Sequence, residues 1–276
     1  FPTRRSSDLH PFAPQVLQLI KTGDIDFCFS ASANAATLSP QAGVMSLHFL
    51  FRNEAHVIKA LADPKVFDAI KTMIDDTAQG LHVIGTGSQG VRHIYSKREV
   101  HNVGDIKGMK VRGNPIYNAF FTNVLGAQVL NMPSTETYTA LERGTIEITG
   151  WTEIGVMDAN WDKHLKFRLD PKFFSTDLGV IINAKKWASL QPKTREFLTR
   201  MAIEHESASI VEMQKLRDTE IAELEKRGIK SFTLSPEAGK RFIAGASAAA
   251  HARMKERMDK AGVPNDYEKL VKLFTP

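Results

Sequence analysis

The sequence predicts an α/β protein, because short β-branched segments alternate with segments of helical spacing along most of the 276 residues. Strands are predicted at 81–86, 91–96, 109–112, 128–130, 146–148, 174–183 and 230–233. Helices are predicted at 64–80, 116–124, 135–143, 192–227 and 235–258. This alternation indicates a mostly parallel sheet. The helical pattern at 192–227 is long enough to brace two lobes.

The beginning of the chain has one further helix and strand. Apolar residues recur on one face of a helix at 14–20, which Gly23 ends, and a short buried strand follows at 25–29. The strand that precedes such a helix in a βαβ unit is absent, which predicts that roughly 30 residues are missing. A last short helix is predicted from Asn265.

Residues 1–9 require a different explanation. They lack the apolar segment of a signal peptide, and they resemble the translated sequencing-adapter string found at the broken ends of gene fragments. We therefore treat them as a non-native leader, with authentic sequence starting near His10. On this interpretation the export signal of the natural protein has been lost.

Composition excludes several classes of protein. With 42% hydrophobic and 24% charged residues, the chain is expected to be globular and not disordered or fibrous. No apolar run approaches the ~20 residues that cross a bilayer, so no membrane-spanning segment is predicted. The net charge of +5 is spread over interspersed Lys and Glu, without the basic run of a nucleic-acid-binding protein. We expect at most a mild preference for anionic ligands.

Cys28 is the single cysteine, and it lies in an apolar run. A disulfide within the chain and a cysteine-based metal site are therefore both excluded. We expect Cys28 to be a small buried residue of the strand at 25–29. One thiol is compatible with an oxidising compartment.

The segment Gly85-Thr-Gly-Ser-Gln-Gly90 matches the dinucleotide-binding pattern, follows a predicted strand and has Asp105 about 20 residues further on. That mechanism requires a helix N-terminus beneath the pyrophosphate. Here Val91-Arg-His-Ile-Tyr95 continues as a strand. The pattern therefore does not predict nucleotide binding, and we interpret the glycines as a hinge between lobes.

Three consecutive motifs carry a family resemblance. They are Lys107-Gly-Met-Lys-Val-Arg112, Leu125-Gly-Ala-Gln-Val-Leu-Asn-Met-Pro133 and Glu136-Thr-Tyr-Thr-Ala-Leu-Glu-Arg-Gly144. Together they resemble the solute-binding proteins of tripartite ATP-independent periplasmic (TRAP) transporters, the DctP-like family, and the resemblance covers nearly all of residues 11–276. It implies a two-lobed fold of the periplasmic binding protein type II kind, with hinge crossings and a long lobe-spanning helix.

By this resemblance the hinge crossings lie near Gly90 and Gly179. Lobe I would comprise residues 10–89 and 179–217 and be incomplete at its N-terminus, and lobe II would comprise residues 90–178 and 218–276.

The resemblance also places Arg112 where the family delivers an arginine into the cleft between the lobes. A planar guanidinium grips a carboxylate through two parallel hydrogen bonds and keeps its charge when partly desolvated. The alternative is a structural ion pair with Glu136 or another acid. Arg92, in a Gly-x-Arg segment that matches the family's hinge strand, is the candidate second cation, again with a structural ion pair as the alternative.

Two positions depart from the commonest family pattern. Trp151 occupies the place of a ligand-facing asparagine, so its indole would offer an apolar wall with one N–H donor, unless it only packs in the core. Ser134 replaces a phenylalanine, which would enlarge or wet the pocket. Because of these changes, the ligands of other family members are not transferred to this chain.

Four weaker ligand candidates complete the predicted site. Ser32 and Asn34 follow a strand end, the usual edge of a ligand crevice in an α/β sheet. Phe49 would close one side of the pocket, although core packing is the simpler explanation. Asn114, shortly after Arg112, is the fourth.

The function that the resemblance implies is capture of a small organic acid between two lobes and delivery to the membrane permease subunits of a TRAP transporter. The protein would be periplasmic and would bind no nucleic acid. The chain has no His-x-x-x-His, Gly-x-Ser-x-Gly or P-loop signature, so neither an enzyme nor a metal or other cofactor is predicted. The same fold also serves as the ligand-sensing domain of signalling proteins, which is the alternative.

Overall fold

A computed structural model describes residues 13–30, 65, 80–115, 117–261 and 268. The strands are β1 (Phe27–Ser30), β2 (Leu81–Ser96), β3 (Lys110–Gly113), β4 (Gln128–Asn131), β5 (Ile148–Thr152), β6 (Phe167–Asn183) and β7 (Lys230–Thr233). The α-helices are α1 (Ala13–Thr22), α2 (Thr137–Glu142), α3 (Ala184–Ser189), α4 (Pro192–Lys226) and α5 (Pro236–Ala261). Shorter helical turns lie at Val103–Ile106, Phe120–Val124, Ser134–Glu136 and Trp161–Lys163.

The described strands form one sheet in the order β1-β6-β2-β5-β3-β4, with β7 paired to β6. The pairings of β1 with β6, β2 with β5 and β2 with β6 are antiparallel. Those of β3 with β4, β3 with β5 and β6 with β7 are parallel. The α/β class is confirmed, but the prediction of a mostly parallel sheet is wrong. The sheet is mixed because β2 and β6, its longest strands, run in opposite directions.

The strands β2 and β6 are 16 and 17 residues long, far longer than the segments predicted. Their ladder extends from the pair Leu81–Asn183 to the pair Ser96–Phe167. The glycine-rich segment that matches the dinucleotide pattern lies inside β2, and no helix follows it. This confirms the strand prediction and removes the helix N-terminus that a pyrophosphate would need.

Gly85 has a packing role that the hinge interpretation did not include. A Cβ atom on Gly85 would lie 2.7 Å from the Cβ atom of Ala202 on α4. Real Cβ atoms do not approach each other so closely, so glycine at this position lets α4 lie directly against β2.

The strand β6 bulges opposite His93. Arg92 pairs with Phe174 and Ile94 pairs with Leu169, so residues 170–173 of β6 lie opposite the single residue between them. Bulges tolerate proline and re-aim side chains, which explains why Pro171 lies inside a long strand. The bulge brings the Asp170 carboxylate to His93.

The helix α4 is 35 residues long and contacts both ends of β2. It begins at Pro192, where the missing N–H costs no hydrogen bond. Near its start Ala202 packs with Ile84, and near its end Leu224 joins the buried cluster that contains Tyr95. The long helix predicted from the sequence is therefore confirmed.

The strand β1 is an edge strand and not the buried strand predicted. Phe27 and Phe29 are 54% and 59% exposed, and Cys28 between them is only partly buried. Among the described strands β1 pairs with β6 alone, so no described strand lies on its other side. Partial burial still raises the pKa of the Cys28 thiol to about 11.

An aromatic core lies next to the strands that carry the candidate site. The rings of Phe120 and Phe173 stack with centroids 5.3 Å apart, and Phe242 of α5 lies 5.2 Å from Phe120. Phe120 belongs to a π-helix, Phe120–Val124, within the helix predicted there. This core fixes the segment between β3 and β4 against β6.

Most of the remaining predicted elements differ at their ends, and β5, at Ile148–Thr152, shares only Ile148 with the strand predicted at 146–148. The helices predicted at 64–80 and from Asn265 lie almost entirely outside the described residues. No helix in the described ranges combines the length and apolar character needed to span a bilayer.

Candidate functional site

Three neighbouring strands bring Arg92, Arg112 and Trp151 together. Arg92 of β2 pairs with Thr152 of β5, and Arg112 of β3 pairs with Thr149 of β5. Trp151 lies between these two positions on β5, and its ring centroid is 5.4 Å from Arg92 Cζ and 5.3 Å from Arg112 Cζ. Both guanidiniums are therefore within cation–π distance of one indole. We call these three residues the arginine site.

Arg112 is only 5% exposed, yet its Nε and Nη1 atoms have no hydrogen-bond partner among the described residues. The predicted alternative, an ion pair with Glu136, does not form, and Glu136 is exposed. A buried guanidinium N–H without an acceptor is unfavourable because it has lost its water. An anion with two acceptor oxygens would supply the missing partners.

Arg92 is equally buried, and its Cζ atom lies 5.8 Å from the ring centroid of Tyr117. Burial lowers the pKa of the Arg92 guanidinium; Tyr117 opposes this, and the neighbouring charge of Arg112 lowers the pKa further. The two guanidiniums thus repel each other. A bound anion would relieve that repulsion.

Trp151 packs as the core alternative predicts, and its role as a wall for the ligand stays a prediction. Its ring lies 4.7 Å from that of Trp161 and joins a buried cluster, as a core residue would. The same ring contacts both arginines. Its Nε1 atom is buried without a hydrogen-bond partner in the described part of the chain, beside Gly155, whose φ of +97° requires glycine.

Five further residues were predicted as ligand contacts, and two of them lie among the described residues. Asn114 follows β3, and its carbonyl oxygen accepts hydrogen bonds from the N–H groups of Tyr117 and Asn118, both at 3.0 Å. Ser134 is partly exposed and opens the helical turn Ser134–Glu136. Their roles as ligand contacts stay predictions. Ser32, Asn34 and Phe49 lie outside the described residues.

A second group of buried charges, which the sequence did not predict, begins at the residue after Arg92. His93 is 3% exposed, its Nε2 atom is 2.9 Å from Glu153 Oε1, and its Nδ1 atom is 2.9 Å from Asp170 Oδ1. Arg217 Nε lies 3.2 Å from Glu153 Oε2, and Arg168 Nη2 lies 3.3 Å from Asp170 Oδ2. We call these five residues the histidine network.

The pKa values of His93 and Asp170 shift in the directions expected for ion pairs. Burial acts to lower the pKa of His93, but hydrogen bonds and charges from Asp170 and Glu153 outweigh it and raise that pKa. Burial acts to raise the pKa of Asp170, but His93 and Arg168 outweigh it and hold that pKa below its usual value. The imidazolium and the carboxylates therefore stabilise each other.

The histidine network also fastens α4 to the strands of the arginine site. Arg217 reaches Glu153 from α4. One turn further along, Glu220 accepts hydrogen bonds from the N–H groups of Gly155, at 2.8 and 2.9 Å, and of Met157, at 3.1 Å. Because Gly155 and Met157 follow β5, the helix holds both the end of that strand and the loop after it.

Sequence spacing could not have revealed the histidine network, because its partners are scattered from residue 93 to residue 217. The one available signal was the run Val91-Arg-His-Ile-Tyr95, in which a buried strand carries two basic side chains that need partners. Within the described ranges, no group of three or more His, Cys, Asp or Glu side chains is placed to hold a metal ion.

Comparison with known protein families shows which family the chain belongs to. The profile of bacterial extracellular solute-binding protein family 7, DctP, matches residues 5–257. The chain belongs to this family. The resemblance to TRAP solute-binding proteins is thereby confirmed.

One curated protein is similar in sequence to most of this chain. The chain is 34% identical over 195 residues to the 2,3-diketo-L-gulonate-binding periplasmic protein YiaO of Escherichia coli, a match that covers 70% of this chain and 58% of YiaO. The chain thus spans little more than half the length of that curated relative.

Solved structures of TRAP periplasmic solute-binding proteins share the fold. The Desulfovibrio salexigens protein with bound orotic acid has a TM-score of 0.84 and 20% identity, covering 94% of this chain and 82% of its own. The Ralstonia eutropha protein with bound (S)-2-acetolactate has a TM-score of 0.80 and 22% identity, covering 95% and 83%. At these identities the likeness establishes the two-lobed fold and not the ligand.

Proposed function

We propose that this family 7 protein captures a small organic acid at the arginine site and delivers it to the membrane subunits of a TRAP-type transporter. The observation that carries the proposal is Arg112, which is buried while its Nε and Nη1 atoms have no acceptor among the described residues. A carboxylate binds a guanidinium through two parallel hydrogen bonds and would supply acceptors for these two Arg112 atoms. The Arg112 fork would hold the carboxylate, and Arg92 would be the second cation.

The ligands named for the relatives favour an acid. One relative is described as binding 2,3-diketo-L-gulonate, and solved structures hold orotic acid and (S)-2-acetolactate. Each of these is a carboxylate that carries further oxygen atoms. An acid of this chemistry is the ligand class we propose, with Trp151 forming an apolar wall beside the carboxylate.

Capture in a cleft requires two lobes that move about a hinge, and we propose the boundaries predicted from the sequence. Lobe I comprises residues 10–89 and 179–217, and lobe II residues 90–178 and 218–276. In support, the proposed crossing residues lie in one ladder, where Gly90 pairs with Thr176 and Gly179 pairs with Thr86. Closure would exclude water and so strengthen the contact between Arg112 and its ligand. The site of action would be the periplasm.

A thermal-shift screen tests the capture of an acid. Keto acids, hydroxy acids, sugar acids and aromatic acids are added to the full chain, and each is compared with its uncharged amide. At 100 times its Kd, a ligand stabilises the folded protein by about 2.7 kcal/mol. We expect at least one acid to raise the melting temperature and its amide not to do so.

Arg112→Met is the decisive variant, and Arg143→Met, at an exposed arginine, is its control. Because one partner of a buried charged pair is lost, we expect Arg112→Met to raise Kd by roughly 30-fold or more. Arg143→Met should leave Kd unchanged. If the acid stabilises Arg112→Met as strongly as the wild type, or if no acid stabilises the folded wild type, the proposal is wrong. Delivery is checked by acid uptake into vesicles that contain TRAP membrane subunits, which should require this protein.

A further inference from the structure

Among the described residues, every polar atom found within hydrogen-bond distance of the His93 ring nitrogens is an acceptor. Nε2 is 2.9 Å from Glu153 Oε1, while Nδ1 is 2.9 Å from Asp170 Oδ1 and 3.2 Å from the carbonyl oxygen of Leu169. A neutral imidazole has one N–H and one lone pair, so it would point a lone pair at a carboxylate oxygen whichever tautomer it adopted. Only the imidazolium donates to both sides. The geometry therefore requires a charged His93.

This charged ring connects the strands of the arginine site to the long helix. His93 follows Arg92 on β2, and Glu153 lies two residues after Trp151 on β5. On its far side Glu153 contacts Arg217 of α4, 3.2 Å away. One series of side-chain contacts therefore runs from His93 on β2 to Glu153, directly after β5, and on to Arg217 on α4. All of its members are less than a tenth exposed, so water screens these interactions little.

We propose that His93 is a positioning residue for ligand binding: as an imidazolium it joins Glu153 and Asp170, and through Glu153 and Arg217 it holds α4 against the strands that place Arg92 and Trp151. The inference rests on the proposed capture of an acid at the arginine site. It adds a residue that touches no ligand but on whose charge the affinity depends. When His93 loses its proton, one of its two carboxylate contacts becomes repulsive, and the ring no longer joins Glu153 to Asp170.

The charged groups around His93 set the direction of the pH effect. Glu153, directly after β5, and Asp170 of β6 contact the ring nitrogens. The ring of Tyr95, also on β2, lies 6.4 Å from the imidazole, and Arg217 and Arg168 lie beyond the two carboxylates. Both direct ionic contacts are carboxylates, so they favour the charged ring. We therefore expect affinity to be full at low pH and to fall as pH rises through the raised pKa of His93. The carboxylate of the ligand stays ionised over this range and does not contribute to the change.

The test combines measurements of ligand affinity with a direct measurement of the protonation of the His93 ring. Binding of the acid found by the thermal-shift screen is measured by calorimetry from about pH 6 to about pH 9, for the wild type and for His93→Gln. NMR of the imidazole resonances gives the titration midpoint of His93 independently of any ligand. His101→Gln, at an exposed histidine that contacts Glu99, is the control.

We expect His93→Gln to raise Kd by roughly 3- to 30-fold at low pH and to have a flat pH profile. The wild-type Kd should rise toward that of His93→Gln with the midpoint that NMR assigns to His93, and His101→Gln should follow the wild type. Ionisation of Arg92 would change Kd in both the wild type and His93→Gln. The difference between their pH profiles therefore reports His93 alone.

Two results overturn the inference: a wild-type Kd that stays constant while the His93 resonances titrate, or His93 resonances that show a neutral ring at low pH. Neither needs His93→Gln to fold, because both are measured on the wild type. If instead no acid binds the wild type, the proposed capture function fails, and the NMR titration still reports the charge of His93. The two failures are therefore distinguishable.

Discussion

Arg92 and His93 are adjacent on β2, yet they belong to two buried clusters whose charges are balanced in different ways. In the histidine network each cation lies within 3.3 Å of a carboxylate oxygen, and the carboxylates come from β5 and β6. In the arginine site, Arg112 has the face of an indole for a neighbour, and its Nε and Nη1 atoms lack an acceptor in the described structure. Both clusters are buried, so the difference lies in the partners and not in the solvent.

This difference separates what the protein needs in order to fold from what it needs in order to bind. A buried cation with carboxylate partners supports the fold, and removing one partner leaves the other charge uncompensated. A buried cation without an acceptor is instead a cost that the fold carries. The cost is recovered when an external anion supplies the acceptor, which is how a binding site gains affinity without unfolding the protein around it.

The largest expected effect is a contrast in stability between Glu153→Gln and Arg112→Met. The amide introduced by Glu153→Gln would place an N–H group against either His93 or Arg217, both of which are donors, so we expect a loss of about 3–5 kcal/mol in the free energy of unfolding. Arg112→Met removes a cation whose Nε and Nη1 atoms have no acceptor among the described residues, so the free energy of unfolding without ligand should stay the same or increase. Urea denaturation followed by tryptophan fluorescence measures both.

Glu147→Gln is the matched control for this contrast. Glu147 is one-third exposed and pairs at 3.4 Å with Arg98, which is more than half exposed, so its loss should cost less than about 1 kcal/mol. If Arg112→Met lowers the free energy of unfolding as much as Glu153→Gln does, the proposed difference between the two clusters is wrong. Arg112 would then be a structural residue with partners of its own.

The next effect is the dependence of stability on pH, which should come from the histidine network. The pKa of His93 is raised in the folded state, so its contribution is complete below its unfolded pKa of about 6.5 and is lost as pH rises through the folded pKa. The pKa of Asp170 is lowered, so its contribution is present above its unfolded pKa of about 3.9 and is lost as pH falls through the folded pKa.

Stability from this pair should therefore be greatest between about pH 4 and pH 6.5. Melting temperatures of the wild type and of His93→Gln across this range measure the effect as a difference between the two proteins. The difference in melting temperature between the two proteins should become smaller above about pH 6.5. A difference that is constant into alkaline pH would mean that His93 contributes by packing and not by charge.

The sequence predicted the parts of this molecule that depend on local patterns. The long helix from Pro192 and the strand that carries Arg112 follow from apolar spacing and a specific motif, and the structure confirms both. The lengths of β2 and β6 could not be predicted in this way. The strand predicted at 81–86 ends within the glycine-rich segment and another is predicted only from residue 174, whereas β2 continues through those glycines and β6 continues through a bulge that contains Pro171.

The residues of the two buried clusters differ in the same way: local motifs indicate some of them, and only tertiary structure brings the others together. A motif singled out Arg112, and the position of Trp151 within a family pattern pointed to the indole. The histidine network has no motif, because His93, Glu153 and Arg217 meet only when β2, β5 and α4 pack together. Residues brought together by tertiary structure leave no local signature, and a basic residue on a buried strand is the only warning the sequence gives.

The smallest expected effect sharpens the comparison at Trp151. Its ring contacts both arginines, and its strand ends at Thr152, directly before Glu153 of the histidine network. Trp151→Phe keeps an aromatic face but removes Nε1 and weakens the cation–π contact by about 0.5–1 kcal/mol. We expect Kd for the acid to rise about 3- to 5-fold, while the urea midpoint changes little. Trp187→Phe, at the indole that stacks on His82 with centroids 4.4 Å apart, is the control and should leave Kd unchanged. If Trp151→Phe lowers stability and leaves Kd at the wild-type value, the indole is a core residue, and the ligand contacts the arginines alone.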